Sequence, residues 1–266
     1  VTSLKTTWYG AYTLYAVKYD TKLLVDNGTT TQNVPSIVPI GASVGTKQGF
    51  SIIQYQGNGS RDQSIPHGLT QAPDFSIIKN MDGTNNWTVF HRSVTTTNQK
   101  VFYLNTTDAI ADYSNGSYTW WHQLPQALVF YIGDLSTAIN NGTNDMISYH
   151  WHDVPGLQKF GSYVGNGSDD GVYIDLGFKP KVLLTKSSSN GSDWQLWDTS
   201  RQTYNPNADT LTPNTDVKGS DTSGYKVDML SNGVKFRMYG PSSNNSGVTY
   251  IYAAWAEAPT FNLYGA

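Results

Sequence analysis

One short motif occurs twice in this chain. The stretch "QYQGNGS" occupies residues 54–60, and the similar "SYVGNGS" occupies residues 162–168. An Asn-Gly turn alone could recur by chance, because Asn-Gly commonly connects the two strands of a hairpin. Here further matches follow at a spacing of about 105 residues, which is too long for a solenoid repeat or a propeller blade. The sequence therefore predicts an internal duplication of a domain-sized unit.

The duplication predicts a division of the chain into three parts. The matched pairs that support it are Tyr55/Tyr163, Lys79/Lys186, Trp87/Trp194, Asn140/Asn244, Asn141/Asn245, Ile147/Ile251, Trp151/Trp255 and Pro155/Pro259. We predict an N-terminal arm (residues 1–46), a first repeat (residues 47–156) and a second repeat (residues 157–266). An extra strand in the arm, residues 8–19, resembles the closing strand of each repeat. It needs a partner within the chain, in a neighbouring copy or in a domain upstream.

The composition predicts an all-β fold. Charged residues make up 14% of the chain, and aromatic residues reach 13%; average globular proteins have roughly 25% charged residues. Nineteen Asp stand against a single Glu, Glu257. Asp, Asn, Gly and Ser favour turns, whereas Glu favours helices. Short strands joined by many turns indicate two tandem β-sandwich or jelly-roll repeats.

Alternating apolar and polar residues locate the strands. We expect them at residues 50–55, 75–80, 87–90, 101–104, 127–132 and 146–151 of the first repeat, and at residues 162–164, 172–176, 182–186, 194–197, 226–230, 234–238 and 249–255 of the second. Asn232-Gly233 lies between two alternating runs and is the strongest hairpin signal in the chain.

Alternation also assigns faces to the closing strand of the first repeat. Ile147, Tyr149 and Trp151 share one face, which we expect to be the core. His150 and His152 share the opposite face, which we expect to be solvated. Four tryptophans are predicted to be core residues: Trp87, Trp151, Trp194 and Trp255.

Several functions are disfavoured by composition. A net charge of −3 with seventeen Lys and Arg disfavours nucleic-acid binding as the function. The absence of Cys excludes disulfides and Cys-based zinc sites. The longest apolar runs, residues 127–132 and 250–256, are too short to span a bilayer, so we predict no membrane insertion. The chain begins at Val1 without the features of a signal peptide, which indicates a removed leader or a processed or partial product.

The ordered motifs resemble those of a known repeated module. They read "GFSIIQYQGNGS", "APDFSIIKN" and "NNWTVFH" in the first repeat, and "KFGSYVGNGSDDG", "DLGFKPKVLLTK" and "GVTYIYAAWAEAP" in the second. This arrangement resembles the β-rich module of unknown function found in tail-fibre-like and other virion proteins of aquatic bacteriophages, over about residues 49–260. The resemblance implies a structural or adhesive role on a virus particle and brings no catalytic residues with it.

Catalytic signatures in the sequence are weak. The stretch "GASVG" at residues 41–45 matches Gly-x-Ser-x-Gly, but a nucleophile elbow needs a following helix, so we interpret Ser43 as part of a linker turn. Glycosidases need two carboxylates about 5–9 Å apart. The single Glu257 lies on a strand that we expect to be structural, and Asp169 and Asp170 lie in a turn that we expect to be exposed. We therefore predict no catalytic residues and a non-enzymatic protein.

Metal binding has two weak candidates. His150 and His152 share a strand face with Asp153 next to them, yet two His residues without a third ligand make a poor zinc site. The stretch "NGSDDG" at residues 166–171 lacks the regular Asp spacing of a calcium loop. We predict no metal and no cofactor.

Sugar binding has the most specific candidate residues. Aromatic rings beside polar groups can line a shallow ligand site, and Tyr118, Trp120, Trp121 and His122 lie close together in sequence. Adjacent strand residues point to opposite faces, so one of the two tryptophans is expected to stay exposed. The alternative is a contact between repeats or between subunits.

Nine Asn-x-Ser/Thr sequons occur in the chain. They are at Asn27, Asn58, Asn86, Asn105, Asn115, Asn141, Asn166, Asn190 and Asn244. In a bacterial virus they are turn sequences, whereas in an archaeal or eukaryotic surface protein they are glycosylation acceptors.

The leading hypothesis is a non-enzymatic structural protein of a virus particle: a tail fibre, a capsid fibre or a decoration component. Its expected partners are copies of itself and other virion proteins, and its expected location is the virion surface or the extracellular space. One alternative is a receptor-binding module that recognises host-surface glycans. Another is a subunit of a non-viral, glycosylated extracellular filament.

Overall fold

The computed structural model describes residues 18–19, 22–23, 35–97, 99–113, 120–121, 123–133, 137–215, 220–221 and 225–257. Within these ranges the chain forms twenty β-strands and one four-residue helix. The prediction of an all-β fold is therefore confirmed. The predicted arm strand, residues 8–19, lies outside the described residues except for its last two residues.

The strands alternate with short turns along the chain. The first part contains β1 (Lys18–Tyr19), β2 (Lys22–Leu23), β3 (Pro39–Gly45), β4 (Phe50–Gln56), β5 (Gln63–Pro66), β6 (Phe75–Asn80), β7 (Thr88–His91), β8 (Lys100–Tyr103), β9 (Ala111–Asp112), β10 (Val129–Ile132), α1 (Thr137–Asn140) and β11 (Asp145–Trp151). The second part contains β12 (Gln158–Val164), β13 (Tyr173–Asp175), β14 (Pro180–Ser187), β15 (Gln195–Asp198), β16 (Asp209–Leu211), β17 (Ser220–Asp221), β18 (Val227–Leu230), β19 (Gly233–Phe236) and β20 (Thr249–Ala256).

Two large antiparallel sheets organise these strands. The first large sheet has seven strands in the order β3-β4-β11-β6-β7-β8-β9, and the second has six in the order β12-β20-β14-β15-β16-β17. A two-stranded sheet, β10-β5, accompanies the first, and a three-stranded sheet, β13-β19-β18, accompanies the second. The last of these contains the hairpin predicted at Asn232-Gly233, in which Leu230 pairs with Gly233. From β4 and β12 onward, the two large sheets have corresponding strand orders.

Each large sheet packs one face against its small sheet. The core of the first half includes Tyr55, Phe90, Trp121, Phe130 and Met146. The core of the second half includes Tyr163, Trp197, Val234, Phe236 and Tyr250. On β4 the buried residues alternate, with Ser51, Ile53 and Tyr55 facing the core, because successive strand residues point to opposite faces. This packing gives each half a β-sandwich arrangement.

A third buried cluster joins the two large sheets through their other faces. Its members include Phe75, Val89, Phe102, Phe160, Leu184, Trp194, Ile251 and Ala253. Because of this cluster, β7 and β20 carry buried residues on both faces. In the described part of the chain, the two halves therefore stack as four β layers, with the large sheets in the middle.

The strands of one large sheet run across those of the other. Near the end of β20, Trp255 contacts Trp151 of β11, with ring centroids 6.1 Å apart. Further back along β20, the Tyr252 carbonyl lies 3.1 Å from Nε2 of His91 at the end of β7. In the same sheet as β20, Trp194 lies just before β15 and contacts Phe102 of β8. Moving along one strand thus crosses several strands of the facing sheet, as in orthogonal sheet packing.

The face assignment of β11 was wrong. Met146, Ser148 and His150 are its buried residues, whereas Ile147, Tyr149 and Trp151 are only partly buried. The reason is that the small sheet β10-β5 covers the first of these faces, and the second large sheet covers only part of the other. The predicted solvated face therefore carries the core.

Two further expectations also need correction. Trp87 is exposed, and Trp151 and Trp255 are half-buried at the contact between the large sheets; of the four predicted core tryptophans, only Trp194 is fully buried. Ser43 does not lie in a linker turn but in the edge strand β3, which pairs with β4. The predicted arm thus supplies a strand to the first large sheet. The division into three parts with two tandem repeats stays a prediction.

Candidate functional site

The two Gly-Asn-Gly turns have the same hydrogen-bonded geometry. The Asn58 N–H donates to Oδ1 of Asn140 at 3.0 Å, and the Asn166 N–H donates to Oδ1 of Asn244 at 3.0 Å. The amide NH₂ groups of Asn140 and Asn244 each donate to a serine carbonyl in the same turn, at 2.8 and 2.9 Å. Both asparagines are buried, and buried amides need such partners. The repeated motif therefore serves the fold.

The adjacent tryptophans of the predicted sugar site occupy different environments. Trp121 is fully buried in the core of the first half, and its Nε1–H donates to the Lys100 carbonyl at 2.8 Å. Trp120 is only partly buried. A ring that is wholly buried cannot stack on a sugar, so Trp121 is corrected from a ligand-binding to a core residue. Tyr118 and His122 lie outside the described residues.

Trp120 belongs to a cluster of three aromatic residues at the β8–β9 edge. Its ring centroid lies 5.9 Å from that of Tyr103 and 5.7 Å from that of Tyr113. The two tyrosine hydroxyls are 2.9 Å apart, and burial together with the neighbouring Tyr113 raises the pKa of Tyr103. Partly exposed rings beside hydroxyl groups can stack on and hydrogen-bond a polar ligand.

His150 is committed to the core. Its Nδ1 lies 2.9 Å from Oγ of Ser76, and its Nε2 lies 3.0 Å from Oγ of Ser148. Burial, and to a lesser degree the neighbouring His67, lowers its pKa well below the ordinary value. Both ring nitrogens are already hydrogen-bonded, so the ring links strands β6 and β11.

His152 and the acidic candidates are likewise held by protein groups. Nδ1 of His152 lies 2.8 Å from the Gln71 amide. Asp153 accepts a hydrogen bond from the Phe160 N–H at 2.7 Å, and burial raises its pKa. Asp170 forms an ion pair with Lys235 at 2.7 Å. No group of three His, Asp or Glu residues in the described part of the chain is placed to hold a metal ion.

The sequons differ in accessibility. Asn58, Asn105, Asn166 and Asn190 are exposed, Asn86 and Asn141 are partly exposed, and Asn27 and Asn115 lie outside the described residues. Asn244 is fully buried, so the folded chain cannot present it to a glycosyltransferase.

A partly exposed sheet face in the first half escaped the sequence reasoning. It is formed by Ile52, Ile77, Lys79, Met81, Trp87, Ile147 and Tyr149, which we call the open face. It lies on the side of the first large sheet that faces the second. Ile77 packs against the buried cluster between the two sheets, whereas Met81 and Trp87 are exposed. No motif marks the open face. The only available signal was that Trp87 matches Trp194, and that match does not reveal how either ring is packed.

The comparisons with known proteins identify a family. The "Domain of unknown function (DUF7483)" family matches residues 24–259. The chain belongs to the DUF7483 family. No curated protein and no solved structure matches this DUF7483 chain. Among the described residues, no helix has the length and apolar character needed to cross a membrane.

Proposed function

We propose that this DUF7483 chain is a non-enzymatic structural protein of a virus particle, built from two β-sandwich repeats and assembling with copies of itself and with other virion proteins. The resemblance to modules of bacteriophage virion proteins supports the choice of particle. The proposed location is the virion surface, as part of a tail fibre, a capsid fibre or a decoration layer.

The observation that carries the proposal is a set of exposed apolar side chains at the β3 edge and on the open face of the first half. Ile40 and Val44 are exposed on β3 and Val38 just before it, and Met81 and Trp87 are exposed on the open face. Exposed apolar side chains that lie together on a folded protein can form contact sites with other molecules. In addition, β3 is an uncharged strand at the end of its sheet, and a long edge strand is a template for pairing with another chain.

Purified particles test this proposal. Mass spectrometry of particles from the source virus should detect the chain at a fixed copy number that survives washing in high salt. A matched sample of free, unassembled proteins from the same preparation serves as the control. Absence of the chain from purified particles would contradict the proposed role.

The aromatic cluster Tyr103–Tyr113–Trp120 favours a second candidate function, recognition of a host-surface glycan. Trp120→Ala should abolish binding to a glycan array while the chain stays folded. Tyr204→Ala, which removes an exposed ring elsewhere, is the matched control. Retained glycan binding by Trp120→Ala would contradict this assignment.

A further inference from the structure

The open face has a buried counterpart in the second half. In the first large sheet, Tyr149 pairs with Ile52 and Ile77. In the second large sheet, Ala253 occupies the matching place and pairs with Phe160 and Leu184. Extending this register gives the counterpart of the whole open face, which we call the closed face: Phe160, Leu184, Lys186, Ser188, Trp194, Ile251 and Ala253.

All seven closed-face residues are buried, whereas each of their open-face counterparts is at least partly exposed. The contrast is largest for the tryptophans, since Trp194 is 1% exposed and Trp87 is 37% exposed. The same kind of surface is therefore covered in one half and uncovered in the other.

A segment of the first half, residues 102–110, covers the part of the closed face around Trp194, Lys186 and Ser188, and we call it the docking loop. Elsewhere on this face, Phe75 stacks on Phe160. The Trp194 Nε1–H donates to the Tyr103 carbonyl at 2.9 Å, and Phe102 contacts the Trp194 ring. Nζ of Lys186 donates to the Thr107 carbonyl at 3.0 Å. The loop thus supplies both apolar contact and carbonyl acceptors to the face on which it packs.

The second half has its own counterpart of the docking loop, residues 211–215, and Leu211 at its start is exposed. Phe102 pairs with Val89 on β7, and Leu211 pairs with Leu196 at the matching place on β15. The loops also start alike, because Oδ1 of Asn105 accepts from the Trp87 N–H and Oδ1 of Asn214 accepts from the Trp194 N–H. Phe102 is fully buried, whereas Leu211 is 38% exposed.

The geometry points to head-to-tail self-assembly: residues 211–215 of one copy dock on the open face of a second copy, as the docking loop packs on the closed face within the chain. This inference rests on the proposed structural role and names its partner, a second copy of the same chain. The two uncovered surfaces lie on different halves, so each copy offers one of each. Such a heterologous contact repeats from copy to copy and builds a filament or a ring.

The chemistry of the open face suits this occupant. Trp87 and Ile77 supply apolar surface for Leu211, as Trp194 and Leu184 do around Phe102. Lys79 donates to the carbonyls of Asn80 and Gly83, and an ammonium group has three donors. It therefore keeps one donor for a loop carbonyl, the role that Lys186 fills toward Thr107.

Sedimentation of the full chain tests the inference through two single variants. Trp87→Glu disables the open face, and Leu211→Glu disables the loop of the second half. Each substitution falls on an exposed side chain, and circular dichroism checks that each variant is folded. We expect wild-type mass to rise with concentration and each variant to weaken association about tenfold or more. Tyr204→Glu, at an exposed aromatic residue outside both surfaces, should associate like the wild type.

Mixing the two variants gives the sharper result. A Trp87→Glu copy keeps an intact loop and a Leu211→Glu copy keeps an intact open face, so the mixture should form a dimer that neither variant forms alone. Wild-type chain that stays monomeric, or variants that associate as strongly as wild type, would overturn the inference. A monomeric chain that is nevertheless found in purified particles would remove this contact and leave the proposed structural role standing.

Discussion

Trp87 and Trp194 occupy matching places in two sheets with corresponding strand orders, yet one ring is exposed and the other is buried. Their strands have similar local sequences, and both backbone N–H groups bond to an asparagine side chain. The difference comes from the neighbour, because residues 102–110 pack on Trp194 and no described segment packs on Trp87 in this way. Whether a side chain on this sheet face is buried therefore depends on whether another segment of the chain packs on it.

Truncation of the two tryptophans should give the largest difference in stability between the two halves. Trp194→Ala removes a buried ring between the large sheets and should lower the free energy of unfolding by about 3–5 kcal/mol. Trp87→Ala, at an exposed position, should change it by less than about 1 kcal/mol. Urea denaturation of both variants measures the difference. Equal losses would show that the two faces are packed alike.

The Gly-Asn-Gly turns should respond alike, because here the two halves have the same contacts. Asn140→Ala and Asn244→Ala each remove a buried side chain that accepts from one backbone N–H of the turn and donates to a serine carbonyl. Each should cost about 1–3 kcal/mol. Asn190→Ala, at an exposed turn position, is the control. A large difference in stability loss between Asn140→Ala and Asn244→Ala would contradict the equivalence of the two turns.

Burial of Lys186 should make the stability of the chain depend on pH in the alkaline range. Burial lowers the pKa of Lys186 from 10.5 to about 8. Between these values the unfolded chain binds more protons, so this residue makes the free energy of unfolding rise with pH from about 8 to 10.5. Comparing wild type with Lys186→Met across this window isolates the contribution, and Lys79→Met is the matched control. An identical pH dependence in wild type and Lys186→Met would contradict it.

A comparable effect is expected at acid pH, at a position where the two halves carry different residues. Burial lowers the pKa of His91 from 6.5 to about 4, and Asp198 occupies the matching place in the second half. The unfolded chain binds more protons between these values, so His91 lowers stability as the pH falls from 6.5 to 4. His91→Gln should flatten this decline in thermal unfolding experiments. An unchanged decline would assign it to other groups, such as His150.

The sequence was sufficient to predict the fold class and most strands, because turn residues and short alternating runs are local signals. It also predicted the hairpin at Asn232-Gly233. It missed β3, since "PIGASVG" contains a proline and two glycines, which weaken a strand signal. That segment is a strand because β4 offers it an edge.

The candidate site was harder to predict than the fold. Alternation separates the two faces of β11 but cannot say which one is covered, since both faces of this sheet carry packed residues. For the same reason, alternation predicted that Trp120 and Trp121 point to opposite faces but not which of the two rings is buried. The open face could not be predicted at all, because it exists only where the facing sheet ends.

The most direct test of the account is a cross-link between copies. The chain has no cysteine, so Trp87→Cys and Leu211→Cys each introduce a single thiol. A short bis-maleimide added to a mixture of the two variants should join one Trp87→Cys copy to one Leu211→Cys copy, more efficiently than it joins copies within either pure sample. A mixture of Trp87→Cys with Tyr204→Cys sets the background. If the mixture of Trp87→Cys with Leu211→Cys cross-links no more than this background, docking of the second half on the open face is contradicted.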